Sequence, residues 1–376
     1  MNKAAYYILY SMLQKKVQQF NRTQNTRPVS KTETDLGIPY DVETAADNLR
    51  IPWAMDIASD GTIYFTERPG EIRMIRDGEL YPMPIIRFGL PFVDVGEGGL
   101  MGIVLDPDFD ENRFMYVMYS YEDGGQIFNR VARLVERENE ASYDRIIIDR
   151  IPGSRVNDGG RIKIGPDGKL YITAGDSGNG DLAQDLNSLA GKILRVNLDG
   201  SIPEDNPFPD SPVYSYGHRN PQGIAWGINN TMYASEHGQS GYDEINIIVP
   251  GGNYGWPLVR GPETLEEHPD FIRPIISSGD STWAPAGIAY VEEGPWAGRL
   301  LVANLRGQQL LALTLSDDGQ EVQNMEILLK DTYGRLRDVY YAPDGSLYIL
   351  TSNTDGRGTP RPGDDLMLHL TPRAES

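Results

Sequence analysis

Pro166-Asp167-Gly168-Lys169-Leu170-Tyr171-Ile172-Thr173 returns, barely altered, as Ser59-Asp60-Gly61-Thr62-Ile63-Tyr64-Phe65-Thr66 and again as Pro343-Asp344-Gly345-Ser346-Leu347-Tyr348-Ile349-Leu350. Each copy joins a strand to a second strand through an Asp-Gly turn, a strong hairpin signal because glycine takes the positive φ that tight turns demand. Three further copies vary the turn. Trp226 to Ser235 uses Asn229-Asn230, and Ile103 to Ser120 lengthens it around Pro107-Asp108-Phe109-Asp110. Ile288 to Asn304 replaces it with Glu292-Glu293-Gly294-Pro295-Trp296.

Alignment of the six copies puts Tyr64, Tyr116, Tyr171, Tyr233, Leu301 and Tyr348 at equivalent positions, at intervals of roughly 50 to 70 residues. Four strands and their loops fill such an interval, which is one propeller blade. The sequence therefore predicts an all-β, six-bladed propeller of four antiparallel strands per blade. It occupies residues 36–376, after an N-terminal segment of residues 1–35. Ile72-Arg73-Met74-Ile75 and Ile193-Leu194-Arg195-Val196 supply outer strands, and Leu366 to Leu370 is placed to close the ring against the first blade. A β-sandwich would not repeat one hairpin six times.

Composition agrees with a turn-rich fold: 41 glycines and 26 prolines among 376 residues exceed the usual ~12% for the two together. The formal net charge of −20 disfavours nucleic acid and anionic lipid as partners. With no cysteine there are no disulfides, thiolate metal sites or thiol nucleophiles. Met1-Asn2-Lys3 followed by the apolar run Ala4 to Leu13 reads as a tail or a degenerate export signal, too short to span a bilayer. An exported protein, outside the cytoplasm, is the matching expectation.

In a propeller the first two strands of each blade lie innermost, so the segment before the first and the segment after the second share one face around the axis. Before the first strands come Glu97-Gly98-Gly99, Asn157-Asp158-Gly159-Gly160-Arg161, His218-Arg219-Asn220, Thr282-Trp283-Ala284 and Arg335-Leu336-Arg337-Asp338. After the second strands come Ala174-Gly175-Asp176, Glu236-His237-Gly238-Gln239 and Asn304-Leu305-Arg306. Arg161, Arg219, Arg306, Arg335 and Arg337 thus crowd one face of an acidic protein. Such a gathering needs either acids beside it or an anionic ligand, and guanidinium forks suit carboxylates and phosphates. Asp243-Glu244-Ile245-Asn246 and Gly251-Gly252-Asn253-Tyr254-Gly255-Trp256-Pro257 offer hard oxygen donors of the kind Ca²⁺ takes, without EF-hand spacing.

These motifs resemble the soluble PQQ-dependent sugar dehydrogenases, the glucose/sorbosone or aldose sugar dehydrogenase group. The resemblance rests on Gly96 to Gly102, Gly160-Arg161 through Asp176, Gly191 to Arg195, Tyr216 to Gly223, Ser235 through Trp256, and Gly334 to Val339. It implies that Arg219, Asn220, Arg306, Arg335 and Arg337 hold the carboxylates and quinone oxygens of PQQ, with Thr282 and Glu97 in contact. It implies that carbonyls of Gly238 and Gln239 bind a Ca²⁺ that grips the cofactor, and that Glu244 and the Tyr254 carbonyl serve a further calcium. The implied reaction oxidises an aldose at its anomeric carbon to the lactone, with an external electron acceptor completing the cycle. A monomer or homodimer is expected.

One position departs from the pattern. The family takes up the hydroxyl proton on a histidine just before the Gly-Gly-Arg element, and here that position is Asn157. A carboxamide takes up no proton near neutrality. Asp158 and Asp176 are the carboxylates at hand to deputise. Two other functions compete with the oxidoreductase: a non-catalytic binding propeller, favoured by Asn157, and a calcium-dependent lactonase-type hydrolase.

Overall fold

In the computed structural model the chain is described over residues 39–260 and 268–373, with Ser30–Thr32 and Ser11, Met12 and Lys15. Six sheets surround a common axis. The first blade runs Pro52–Ile57, Ile63–Glu67, Glu71–Arg76 and Glu79–Leu80, and the second Leu100–Leu105, Phe114–Asp123, Gln126–Arg137 and Glu140–Pro152. The third is Ile162–Ile164, Leu170–Ala174, Lys192–Val196 and Val213–Tyr216, and the fourth Pro221–Trp226, Met232–Glu236, Glu244–Ile247 and Ile276–Ser277. The fifth comprises Pro285–Val291, Arg299–Asn304, Gln309–Leu315 and Val322–Leu328.

The sixth blade corrects one expectation. Leu336–Tyr341, Leu347–Thr351 and Met367–Pro372 come from the end of the chain, but the outermost strand is Tyr40–Ala46 from its beginning. The closing segment therefore does not pair with the first blade. Tyr40 pairs with Pro372 and Val42 with Leu370, so backbone hydrogen bonds between the two ends of the domain lock the ring. Ser30–Thr32 adds a fifth, parallel strand outside the fifth blade, opposite Asn324 to Glu326. The rest of the proposed export signal, apart from three isolated residues, lies outside the described residues. No helix among the described residues is long and apolar enough to cross a membrane.

The six aligned positions are equivalent in register. Tyr64, Tyr116, Tyr171, Tyr233, Leu301 and Tyr348 all sit on second strands, opposite Asp56, Val104, Lys163, Ala225, Ala289 and Tyr340 of the first. The second strands Ile63–Glu67, Leu170–Ala174 and Met232–Glu236 are buried along their whole length, because neighbouring blades cover both faces and no solvent side is left to alternate with.

A repeated irregularity builds the site. In five blades the ladder between the first and second strands slips by a bulge near the start of the first strand: Pro52/Met55, Leu100/Ile103, Pro221/Gly223, Pro285/Ile288 and Leu336/Asp338. A bulge inserts an unpaired residue and re-aims its side chain. Trp53, Gln222 and Arg337 fall in these slips, and all three line a small cavity on the axis. Beside them Gly223 and Gly287 permit close approach of the next blade. A Cβ on Gly223 would lie 2.3 Å from the Ala286 carbonyl, and one on Gly287 1.7 Å from Asp338 Oδ1.

Candidate active site

A cavity of about 770 Å³ opens on the face formed by the loops before first strands and after second strands. Glu97, Asn157, Arg219, Gly238, Gln239, Thr282, Arg306 and Arg335 line it, so the axial geometry brings together residues spread over most of the sequence. His237, Asp243, Leu305, Gln308 and Arg357 are also in the wall, with Ser240, Gly241 and Ala284. A smaller cavity beneath shares Glu97, His237, Arg335 and Arg357 with it and adds Trp53, Asp158, Gln222 and Arg337. Asn220 is fully buried below the wall, accepting from Gly159 N–H (3.0 Å) and Gln222 Nε2 (3.2 Å).

The arginines divide into two groups. Arg161 is fixed to Asp338 across the axis at 3.0 Å, and Arg335 to Asp355 at 2.8 Å, all four side chains being buried. Arg161 is thus part of the frame and lines neither cavity. Arg219, Arg306 and Arg337 have no carboxylate partner among the described residues. The Arg219 guanidinium donates to the carbonyls of His237 (3.2 Å) and Gly238 (2.8 Å). Arg306 is exposed at the cavity wall. Arg337 donates to Gln222 Oε1 at 2.9 Å, but its buried Nε has no partner. Burial pushes the Arg337 pKa down; Asp355 opposes this, while Arg335, Arg161 and Arg68 add to it.

Two neighbouring carboxylates differ sharply. Asp176 is saturated: its Oδ1 accepts from Asn157 Nδ2 (2.8 Å) and Gly178 N–H (2.8 Å), and its Oδ2 from Trp256 Nε1 (2.8 Å). Asp158 accepts from Asn129 Nδ2 and Ser154 N–H on Oδ1, both at 3.0 Å, while its buried Oδ2 has no partner. Burial raises the Asp158 pKa to about 7, with the Glu97 charge adding to the effect and the two hydrogen bonds opposing it. Asn157, held at φ 59°, turns its amide nitrogen onto Asp176. For Glu97, burial raises the pKa, but the Asn157 N–H (2.9 Å) and then Arg357 outweigh it and hold the carboxyl below its usual range.

The predicted calcium residues lie together at a neighbouring pocket lined by Glu236, Gly238, Gln239, Tyr242, Glu244 and Tyr254. Glu244 keeps one hydrogen bond, from Asn246 Nδ2 at 3.1 Å, and burial with Glu236 nearby raises its pKa to about 8. A buried carboxylate so short of partners is a natural cation ligand. No group of three His, Asp or Glu side chains among the described residues is arranged to hold a metal, so an ion here relies on backbone carbonyls.

Ser215, His218 and Glu236 repeat the geometry of a hydrolytic triad, with Ser215 Oγ 2.8 Å from His218 Nε2 and His218 Nδ1 2.8 Å from Glu236. Ser215 and His218 are both 0% exposed, so no substrate carbonyl reaches the hydroxyl. The group instead holds the Arg219 backbone, whose N–H donates to Glu236. The triad is therefore structural, and it does not bear on the calcium-dependent lactonase alternative, which needs no serine nucleophile.

The sequence profile of the Glucose / Sorbosone dehydrogenase family matches residues 49–366. The chain belongs to the glucose/sorbosone dehydrogenase family. Within that family it is 33% identical to aldose sugar dehydrogenase YliI of Escherichia coli, over 84% of this chain and 91% of that one. Among solved structures of the family's fold, the PQQ-bound aldose sugar dehydrogenase of Streptomyces coelicolor is 36% identical, with a TM-score of 0.80 over 88% of this chain and 98% of that one. A glucose dehydrogenase-type oxidoreductase of Thermus thermophilus is 40% identical, with a TM-score of 0.82 over 88% of this chain and all of that one.

Among glucose/sorbosone dehydrogenase positions, three wall residues lay outside the candidate set. Arg357 follows the second strand of the sixth blade, so the same axial rule applied to Ser352 through Arg357 finds it. His237 adjoins Gly238 in a segment already marked, and its buried Nε2 has no partner. Gln222 lies in the Tyr216 to Gly223 segment already marked, and the bulge at Pro221/Gly223 turns it to the smaller cavity.

Proposed function

We propose that this protein is a quinoprotein oxidoreductase that oxidises an aldose at its anomeric carbon to the lactone, with PQQ and Ca²⁺ as cofactors. One observation carries the reading: Arg219 and Arg306 on a cavity of about 770 Å³, and Arg337 on the smaller cavity beneath it, have no acid partner among the described residues. A tricarboxylic quinone matches that unbalanced charge in number and chemistry. The orphaned Arg337 Nε and His237 Nε2 fit such a ligand as donors left without acceptors.

Arg219, Arg306, Arg335, Arg337 and Asn220 would hold the cofactor, with Glu97 and Thr282 against it. The Gly238 and Gln239 carbonyls would take Ca²⁺, and Glu244 with the Tyr254 carbonyl a further ion. Bound there, PQQ supplies a two-electron acceptor and Ca²⁺ a Lewis acid that polarises it. The protein's own part is to orient the sugar, keep bulk water from the reacting carbon and receive the hydroxyl proton. Asp176 already accepts three hydrogen bonds, with a donor on each oxygen, whereas Asp158 Oδ2 accepts none. Asp158 has a free oxygen and a pKa of about 7, which suits a general base near neutrality. We assign the proton to Asp158 Oδ2, which is buried on the smaller cavity below, so the sugar's proton would reach it through a water held there.

Titration of the apo-protein with PQQ and Ca²⁺, read by absorbance, is expected to give a saturable spectral change. Addition of an aldose with a dye acceptor is then expected to reduce the dye. If PQQ leaves the spectrum unaltered, the quinoprotein reading ends. Binding without dye reduction by any aldose would mark a binding propeller instead. Asn157→His is expected to raise the dye-linked rate about tenfold or more by restoring an imidazole. An unchanged rate would show that the carboxylate already suffices.

A further inference from the structure

Arg357 belongs to the loop after the second strand of the sixth blade, and its backbone is braced there. Its own N–H donates to Asp355 Oδ1 at 2.9 Å, and Asp355 in turn holds Arg335. Gly358 packs so closely that a Cβ would lie 2.5 Å from the Asn353 carbonyl and 2.9 Å from Arg335 Cδ. The side chain is different: 56% exposed, it reaches across the seam of the ring to Glu97, with Nη1 2.7 Å from Oε1.

Among the ion pairs that cavity and axial arginines make, this one has its guanidinium most open to solvent. Arg161–Asp338 and Arg335–Asp355 are buried on both sides, and Arg68, paired with Asp94, is only 13% exposed. Glu97 is 25% exposed, and its other oxygen is shared with the Asn157 N–H. With its guanidinium open to water, this pair is held less firmly than the two buried ones, so exchanging its partner costs less. Arg357 also lines both cavities.

We propose that Arg357 is an exchangeable clamp on the cofactor, parked on Glu97 while the cavity is empty and turned onto a carboxylate of the quinone when it is filled. This rests on the quinoprotein reading. Glu97 then acts as the internal competitor for the same guanidinium, and the two residues have opposite effects on affinity.

The test is a PQQ titration in Ca²⁺ at fixed ionic strength, read by absorbance on wild type, Arg357→Gln, Glu97→Gln and the double variant, with apo melting as a check on folding. Arg357→Gln is expected to weaken binding about tenfold or more. Glu97→Gln is expected to tighten it about threefold, and that gain is expected to vanish in the Arg357→Gln background. Binding by Arg357→Gln within twofold of wild type would overturn the clamp, as would an equal effect of Glu97→Gln in both backgrounds. Either result with normal wild-type binding leaves the quinoprotein reading intact. Failure of the wild type to bind PQQ removes both.

Discussion

Asp158→Asn is expected to lose about 10²- to 10⁴-fold in aldose oxidation and, at the same time, to melt at a higher temperature than wild type above pH 7. The two effects have one origin. Asp158 is 2% exposed with one unpartnered oxygen, and burial lifts its pKa from the usual carboxylate range to about 7. Between about pH 4 and pH 7 the folded protein therefore keeps a proton that the unfolded chain has given up, and stability falls as pH rises through that window. Above pH 7 the buried charge costs roughly 3–4 kcal/mol at most, which an amide does not incur. Rate–pH profiles should rise through about pH 7 in wild type. Melting curves from pH 4 to 9 should converge with the variant at the acid end and separate at the alkaline end. Parallel melting profiles, or a variant with full activity, would remove Asp158 from the proton's path.

Arg337→Met is the second large effect, and it too divides between apo and loaded protein. The guanidinium stays charged at any ordinary pH, so its burial beside Arg335, Arg161 and Arg68 is carried as lost stability in the apo form. What offsets it is the nearby Asp355 charge, one hydrogen bond to Gln222 and the Trp53 ring, 5.3 Å from the guanidinium carbon. Methionine fills the space without the charge, so the apo-protein is expected to gain about 1–4 kcal/mol. PQQ affinity is expected to fall by about 2–5 kcal/mol, roughly thirtyfold to several-thousandfold, because a buried charge pair loses one member. Calorimetric melting with and without PQQ reads both: a higher apo transition and a much smaller shift on loading. A variant that binds as wild type would make Arg337 a plug of the axis and not a ligand.

Much of the architecture was legible because a propeller writes its geometry in repeats. The Asp-Gly turns at Asp60-Gly61, Asp167-Gly168 and Asp344-Gly345 fixed the inner hairpins, and ring order carried Glu97, Asn157, Arg219, Thr282, Arg306 and Arg335 to one wall. Partnership was not legible. Arg161 and Asp338 lie 177 residues apart, and nothing local distinguishes Arg161, which is neutralised, from Arg219, which is not. The bulges were hidden because these inner strands are buried on both faces, so no apolar alternation exists for a one-residue slip to interrupt as it turns Arg337 and Gln222 onto the axis. Closure was misjudged for a related reason: Tyr40–Ala46 reads as a strand, but its partner is settled by which edge is free once the other blades are in place.

That last pairing has a temporal meaning. With Val42 laid against Leu370, the ring stays an open crescent until the segment that carries Leu370 has left the ribosome. Arg306, Arg335, Arg337 and Arg357 all come from the last quarter of the chain, and Glu97 meets Arg357 only across the finished seam. A nascent or truncated crescent has only a half-built wall, so loading of the proposed quinone would wait for residues 40–46 and 367–372 to meet.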